Sequence, residues 1–160
     1  MNVEYHRATL ADLEQLVESR VEVLKAANGL DVSADMQKVA EHSREYYKKA
    51  LSDGSHIAYL VSANGSLVGT GGVSFFQVMP TYHNPTGQKA YIMNLYTAPA
   101  YRRQGIAWQV LERLVSAALS QGISFISLET TIMGRPLYEK YGFVQMQDEM
   151  ILSEEALHRV

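Results

Sequence analysis

The chain has 160 residues, of which 47% are hydrophobic and 19% charged, a composition that is ordinary for one globular domain with a sizeable core. Its formal net charge of −3 argues against nucleic acid as the main partner, because a phosphate backbone favours a basic surface. The absence of cysteine excludes disulfides, thiolate metal ligands and acyl transfer through a cysteine nucleophile. No apolar run is long enough to cross a bilayer and no signal peptide is evident, so we expect one cytoplasmic domain over residues 1–160 with no membrane partner.

Hydrophobic periodicity and turn signals predict the elements in chain order. A strand over residues 3–8 precedes a helix that begins at Leu10 with Thr9 as its cap. The elements that follow are a polar helix at 33–51, strands at 56–62, 67–78 and 89–98, a helix at 108–121, a buried strand at 124–130, a short helix at 136–141 and a final strand at 143–152. The sequence Asn64-Gly65 predicts a hairpin turn between the second and third strands.

The segment between the fourth strand and the long helix is typical of an anion site. A helix start leaves N–H groups without partners in the helix and carries the positive end of the helix dipole. A side chain at Gly105 would keep a phosphate away from the backbone, and Ala107 is small for the same reason. The sequence therefore predicts a site for a cofactor pyrophosphate. The predicted contacts are Arg102, Arg103, Gln104, Gly105, Ile106 and Ala107.

Two motifs resemble those of the GCN5-related N-acetyltransferases (GNAT). The first is the spacing of Arg102, Gly105 and Ala107; the second is residues 134–143, which read Gly-Arg-Pro-Leu-Tyr-Glu-Lys-Tyr-Gly-Phe. The resemblance implies a single-domain GNAT-like α/β fold, with a mixed central sheet of six to seven strands and about four helices. It also implies that strands 4 and 5 splay apart and that acetyl-CoA is the cosubstrate.

The same resemblance implies an N-acetyltransferase that moves acetyl to a primary amine by direct attack in a ternary complex. Backbone groups of Leu95, Tyr96 and Thr97 would pair with the pantetheine arm, and an N–H near Leu95 or Tyr96 would polarise the thioester carbonyl. Tyr138 stands at the family's position for the acid that protonates the departing thiolate, although a packing role for its ring is the alternative. Two further candidates for phosphate contact are Arg135 and Lys140, whose charges an exposed helix face would equally carry.

The sequence leaves the general base open. No Asp or Glu lies between Asp53 and Glu112, so the three central strands offer no carboxylate. Glu129 is the nearest candidate, with a loop-bracing role as its alternative. His83 and a chain of water molecules remain further possibilities for taking up the proton.

Three residues are candidates for contact with the acceptor amine, which we expect to be a small molecule or a peptide. Tyr82 and His83 lie in the loop at residues 80–87, whose prolines limit its conformations, and Asn94 lies in the fourth strand. The histidines show no metal-ligand spacing, so no metal is expected. A homodimer is expected by analogy alone, and a non-catalytic acyl-CoA-binding module on the same fold is the alternative function. A toxin that acetylates aminoacyl-tRNA is disfavoured by the net charge.

Overall fold

A five-stranded sheet in the order β1-β2-β3-β4-β5 frames the first 129 residues in the computed structural model. The structure describes residues 2–159, which form two compact units that divide after Glu129. The strands are β1 (Val3–Arg7), β2 (His56–Ala63), β3 (Ser66–Gln77), β4 (Gln88–Thr97) and β5 (Ile126–Leu128). The helices of this unit are α1 (Leu13–Ala27), α2 (Gln37–Asp53) and α3 (Ile106–Ser120). All neighbouring strands are antiparallel except β4 and β5, which are parallel.

One face of the sheet is covered by α1 and α2. Leu16 of α1 and Tyr47 of α2 pack with Ala58 and Leu60 of β2 in a buried apolar cluster. Alternate residues of a strand point to opposite faces, so His56 at the start of β2 shares this face. The rings of Tyr47 and His56 are indeed in contact, with centroids 5.5 Å apart.

The other face is covered by α3, which approaches the sheet closely at glycines of β3. A Cβ atom at Gly71 would lie only 2.6 Å from Cγ1 of Val110, and one at Gly69 would lie 3.2 Å from Cγ2 of Ile106. Larger residues at these positions would push the helix outwards. The two glycines therefore fix the height of the first turns of α3 above β3.

The first two helices begin at or near the predicted residues, but the first turn of one and the start of the other differ from the prediction. Thr9 caps as predicted and forms a reciprocal capping box with Asp12, but the first turn, Leu10–Asp12, is a 3₁₀ turn that leads into α1. The second helix begins at Gln37 rather than residue 33, because both N and Oγ of Ser33 donate to Oδ1 of Asp31 in a local turn. Such side-chain bonds compete with helix formation.

The second unit, residues 130–159 of the described chain, contains α4 (Arg135–Tyr141) and α5 (Glu154–Leu157). The final strand predicted at 143–152 is wrong, and with it the prediction of six to seven strands. This segment contains the β-branched Val144 and Ile151 and the apolar Met150. Their exposed fractions are 87% for Val144, 94% for Ile151 and 100% for Met150. Without a neighbouring strand and a surface to cover, such residues do not form a strand. No helix within residues 2–159 has the length and apolar character needed to span a membrane.

Candidate active site

The parallel strands β4 and β5 pair over only three residues. Their partners run from Ala90 and Ile126 to Ile92 and Leu128. The fifth strand is shorter than the predicted 124–130 and is half-buried rather than buried. Beyond Ile92, β4 continues to Thr97 without β5 at its side. β4 therefore extends past the end of β5, which leaves one edge of its last residues without a paired strand.

A β-bulge lies where the strands part. Gly72 pairs with Met93 and Thr70 pairs with Tyr96, so two residues of β4 oppose one residue of β3. Asn94 adopts a left-handed conformation here, with φ of 60°. Asn is among the few non-glycine residues that accept this conformation readily. The bulge reorients β4 and turns the side chain of Asn94 towards α1, where Oδ1 accepts a hydrogen bond from Nη1 of Arg20 at 3.1 Å.

The hydrogen bonds between β4 and β3 indicate which backbone groups of β4 face its open edge. The N–H of Ala98 donates to the carbonyl of Val68 at 2.8 Å. The backbone N–H and C=O groups of successive residues alternate in direction along an antiparallel strand. Those of Tyr96 therefore also face β3, whereas those of Leu95 and Thr97 face the open edge. Thr97 Oγ1 is moreover buried without a hydrogen-bond partner among the described residues. The donors on this edge suit an extended amide-containing ligand.

The loop between β4 and α3 has the backbone of an anion cradle. Arg103 and Gly105 both have positive φ angles, 60° and 82°. No side chain caps α3 at Gly105, and a Cβ atom there would have no heavy atom within 4 Å. Ile106 is 2% exposed and anchors the first turn, which leaves its backbone to contact a ligand. Open space, uncapped N–H groups and the helix dipole together fit a pyrophosphate.

The two arginines of this loop have different surroundings. Arg102 donates from Nε to the carbonyl of Thr97 at 3.0 Å, and its guanidinium lies 5.9 Å from the ring centroid of Tyr96. It therefore braces the loop against the end of β4. Arg103 and Gln104 are exposed, so the charge of Arg103 is available in front of the cradle.

In the second unit, Tyr138 is half-buried in α4 and its ring meets Phe143 edge to face, with centroids 6.0 Å apart. Burial raises the pKa of the Tyr138 phenol above its ordinary value, so it carries its proton at neutral pH. Arg135 donates to Glu139 on the same helix and to Oε1 of Gln145 at 2.8 Å. Its charge is thus partly neutralised within α4. Lys140 is exposed.

The remaining predicted site residues lie at different ends of β4. Glu129 is exposed and directly follows Leu128, the last residue of β5 to pair with β4. Tyr82 is 92% exposed and its ring meets that of His83 edge to face in the loop before β4. This loop is at the far end, because the strand rises roughly 20 Å from residue 88 to residue 94. The structure therefore brings together Asn94 to Thr97 and the loop at 102–107, and it leaves Tyr82 and His83 apart from them.

A partly buried polar cluster around His56 was not predicted from the sequence. The hydroxyl of Tyr46 lies 3.0 Å from Nδ1 of His56 and 2.6 Å from Oγ of Ser74, and the latter atom is also 3.0 Å from Nδ1. Burial, aided by the charge of Arg20, lowers the pKa of His56 to about 4, so the imidazole is neutral at pH 7. Nothing local in the sequence signals these contacts. Across residues 2–159, no trio of His, Asp and Glu side chains is arranged to hold a metal.

Comparisons with known proteins agree with this geometry. A family model described as the acetyltransferase (GNAT) family matches residues 21–143. The structure is similar to that of a predicted acetyltransferase with acetyl-CoA from Clostridium acetobutylicum, with 32% identity, a TM-score of 0.86 and coverage of 95% of this chain and 96% of that one. It is also similar to a GCN5-related N-acetyltransferase from Ralstonia eutropha, with 25% identity, a TM-score of 0.79 and coverage of 96% and 99%.

A curated relative adds a partial match. The chain is 30% identical over 86 residues to the thialysine N-epsilon-acetyltransferase of Mus musculus. The match spans 54% of this chain and 48% of the mouse enzyme, which is about half the length of that relative. Since the family model covers most of the chain, the protein belongs to the acetyltransferase (GNAT) family.

Proposed function

We propose that this protein is an acetyl-CoA-dependent N-acetyltransferase that moves acetyl to a primary amine by direct attack in a ternary complex. One observation carries the proposal: the open edge of β4 is followed, after the loop at residues 98–105, by the uncapped start of α3. Such an edge and cradle suit a molecule with an extended amide arm at one end and a pyrophosphate at the other. Acetyl-CoA has this form, and when bound it supplies an acetyl thioester.

We assign the cosubstrate contacts to groups on this edge and in the cradle. The backbone C=O of Leu95 and the N–H of Thr97 receive the amide arm, since they face away from β3. Tyr96 contributes its side chain to holding Arg102 instead. The loop backbone from Arg103 to Ala107, together with the Arg103 guanidinium, holds the pyrophosphate.

The Leu95 N–H is the donor that we assign to the thioester carbonyl oxygen. It follows the bulge at Asn94, which fixes its direction, and it belongs to a buried sheet rather than to a mobile loop. A donor that is already oriented needs no reorganisation as negative charge develops on that oxygen, and removal of one such donor typically costs about 3 kcal/mol of transition-state stabilisation.

Two side chains are assigned to proton movement. Tyr138 gives its proton to the departing sulfur, a role supported by its raised pKa and by the position of its motif within the matched residues 21–143. Glu129 accepts the proton of the attacking amine; its place directly after the last residue of β5 that pairs with β4 supports the assignment. Phosphate contacts from Lys140 and Arg135 and acceptor contacts from Tyr82 and His83 stay predictions.

The acceptor is a small-molecule or peptide amine. The mouse relative is named for acetylation of thialysine at its epsilon nitrogen, which supports a primary amine as the nucleophile here. A non-catalytic acyl-CoA-binding module would share the cradle, but it would not need a half-buried phenol that keeps its proton at Tyr138. A homodimer likewise stays a prediction.

A panel of primary amines tests the proposal through release of the CoA thiol from acetyl-CoA. We expect thiol release that depends on at least one amine, with the N-acetylated product seen by mass spectrometry. If CoA binds to the protein but no amine accelerates thiol release, the protein is a binding module and the proposed activity is wrong.

A further inference from the structure

Arg20 places a half-buried cation beside the β4 bulge. It lies in α1, on the sheet face that α1 and α2 cover, and donates from Nη1 to Oδ1 of Asn94 at 3.1 Å. Asn94 directly precedes Leu95, whose backbone N–H is the proposed donor to the thioester carbonyl oxygen. The guanidinium therefore stands next to the position of the reacting group.

The charge of Arg20 has no anionic partner in its own unit. Within residues 2–129, Arg44 pairs with Glu14 and Lys49 pairs with Asp53, but no carboxylate lies within 4.0 Å of Arg20. The guanidinium has five N–H donors, and the one bond to Asn94 has a neutral acceptor. A partly desolvated cation with donors left over is costly to maintain unless an anion meets it.

Two groups on which the charge of Arg20 acts are uncharged at neutral pH. Burial raises the pKa of the Tyr47 phenol, so that group keeps its proton, and burial lowers the pKa of His56 to about 4, so that group stays neutral. The positive charge of Arg20 acts on both groups, which shows that they lie near it. Arg20 of α1 thus lies among Tyr47 of α2, His56 of β2 and Asn94 of β4.

We infer that the acceptor carries a carboxylate as well as its primary amine, and that Arg20 binds this carboxylate while the amine faces the open edge of β4. The planar guanidinium fork matches a carboxylate with two parallel hydrogen bonds. Asn94 orients the guanidinium, because its Oδ1 accepts a hydrogen bond from Nη1 of Arg20. An amino acid, free or at a chain end, has the required pair of groups. This inference rests on the proposed acetyltransferase function.

Matched pairs of amines that differ only in the carboxylate test the inference. L-lysine is compared with cadaverine, L-ornithine with putrescine, and L-phenylalanine with phenethylamine, each with acetyl-CoA. We expect the wild-type protein to prefer the carboxylate member of at least one pair by about 10²-fold in kcat/KM. Truncating one partner of a desolvated charge pair commonly has an effect of that size.

Variants of Arg20 separate recognition from folding. Arg20→Met keeps the length of the side chain and should remove the carboxylate preference while leaving the carboxylate-free amine within threefold of wild type. Arg20→Lys retains the charge and should restore part of the preference. The matched control is Arg113→Met on the α3 face, where the guanidinium lies over the ring of Tyr5 at 4.2 Å; it should keep the preference.

Binding of the amine can also be measured without turnover, as the rise in the melting temperature of the CoA-bound protein when each amine is added. The inference is overturned if cadaverine, putrescine and phenethylamine are acetylated or bound as well as their partners, or if Arg20→Met weakens both members of a pair equally. A stronger preference for phosphoethanolamine than for every carboxylate amine would also overturn it. Absence of transfer to any amine, despite CoA binding, counts instead against the proposed function.

Discussion

Arg102 donates from Nε to the carbonyl oxygen of Thr97 at 3.0 Å, and this bond joins the loop at residues 102–107 to the end of β4. A hydrogen bond within the protein, rather than a ligand, therefore holds the loop in place. The left-handed conformations of Arg103 and Gly105 lie directly after this brace. We therefore expect a cradle that is already formed before CoA binds.

Gly105 and Gly122 provide a matched test of the cradle. Both have positive φ, 82° and 76°, both face open space, and they lie at opposite ends of α3. Replacing either by glutamate should cost a similar ~1–2 kcal/mol of stability, because a side chain disfavours the left-handed conformation. Only Gly105→Glu should abolish the rise in melting temperature on adding CoA, which corresponds to ~2.7 kcal/mol at a hundredfold excess over the dissociation constant. A full CoA shift in Gly105→Glu would place the pyrophosphate elsewhere.

Tyr138→Phe tests the proposed general acid. The substitution keeps the edge-to-face packing on Phe143 and removes only the proton donor. We expect kcat to fall by ~10²-fold or more with little change in the KM for acetyl-CoA. Tyr141→Phe, which removes a phenol from the same helix, serves as the control and should stay near wild type. Activity of Tyr138→Phe within threefold of wild type would reject the role.

Glu129→Gln and His83→Gln distinguish the two candidate bases. Glu129 lies next to the point where β4 and β5 part, and His83 lies in the loop at the other end of β4. We expect kcat/KM for the amine to fall by ~10²-fold in Glu129→Gln and to change less than threefold in His83→Gln, measured at pH 7. The reverse order would move the base to the loop, and no effect in either variant would favour a water chain.

The pH dependence of unfolding tests whether His56 is buried as a neutral group. Its folded pKa of about 4 lies below the ordinary value of 6.5, so the unfolded state takes up a proton that the folded state resists. Stability should therefore be lost as pH falls from about 6.5 towards 4. From pH 7 to pH 5 this group should account for about 2 kcal/mol.

His56→Asn provides the comparison, because the amide can replace the contacts of Nδ1 with Tyr46 and Ser74 but does not titrate. Urea unfolding at the two pH values should show a loss that is ~2 kcal/mol smaller in the variant than in the wild-type protein. Equal losses would mean that His56 is protonated in the folded state.

The parts of the fold that sequence predicted are those that local chemistry decides. The capping box of Thr9 and Asp12 spans four residues, and Asn64 and Gly65 both adopt the positive φ angles that a tight hairpin turn requires. The positive φ of Gly105 at the start of α3 is local in the same way, and the phosphate-binding role predicted for this loop stays a proposal.

The parts that sequence did not predict depend on distant residues. Arg20 and Asn94 are 74 positions apart, and the bulge at Asn94 arises from the register between β3 and β4. The contact of Tyr46 with Ser74 likewise needs α2 to lie over the sheet. Apolar residues at 143–152 gave a strand signal, but a strand also needs a neighbour to pair with, which the local pattern does not reveal.

Transfer of a labelled acetyl group in a single turnover distinguishes direct attack by the amine from a route through an acetylated protein. Protein in excess is mixed with acetyl-CoA that carries isotope in the acetyl group and with an amine that the panel identifies, and the products are followed by mass spectrometry. Direct attack should give labelled N-acetyl amine and free CoA in equal amounts, with no labelled protein at any time. Label in free acetate, or on the protein before it reaches the amine, would contradict direct transfer.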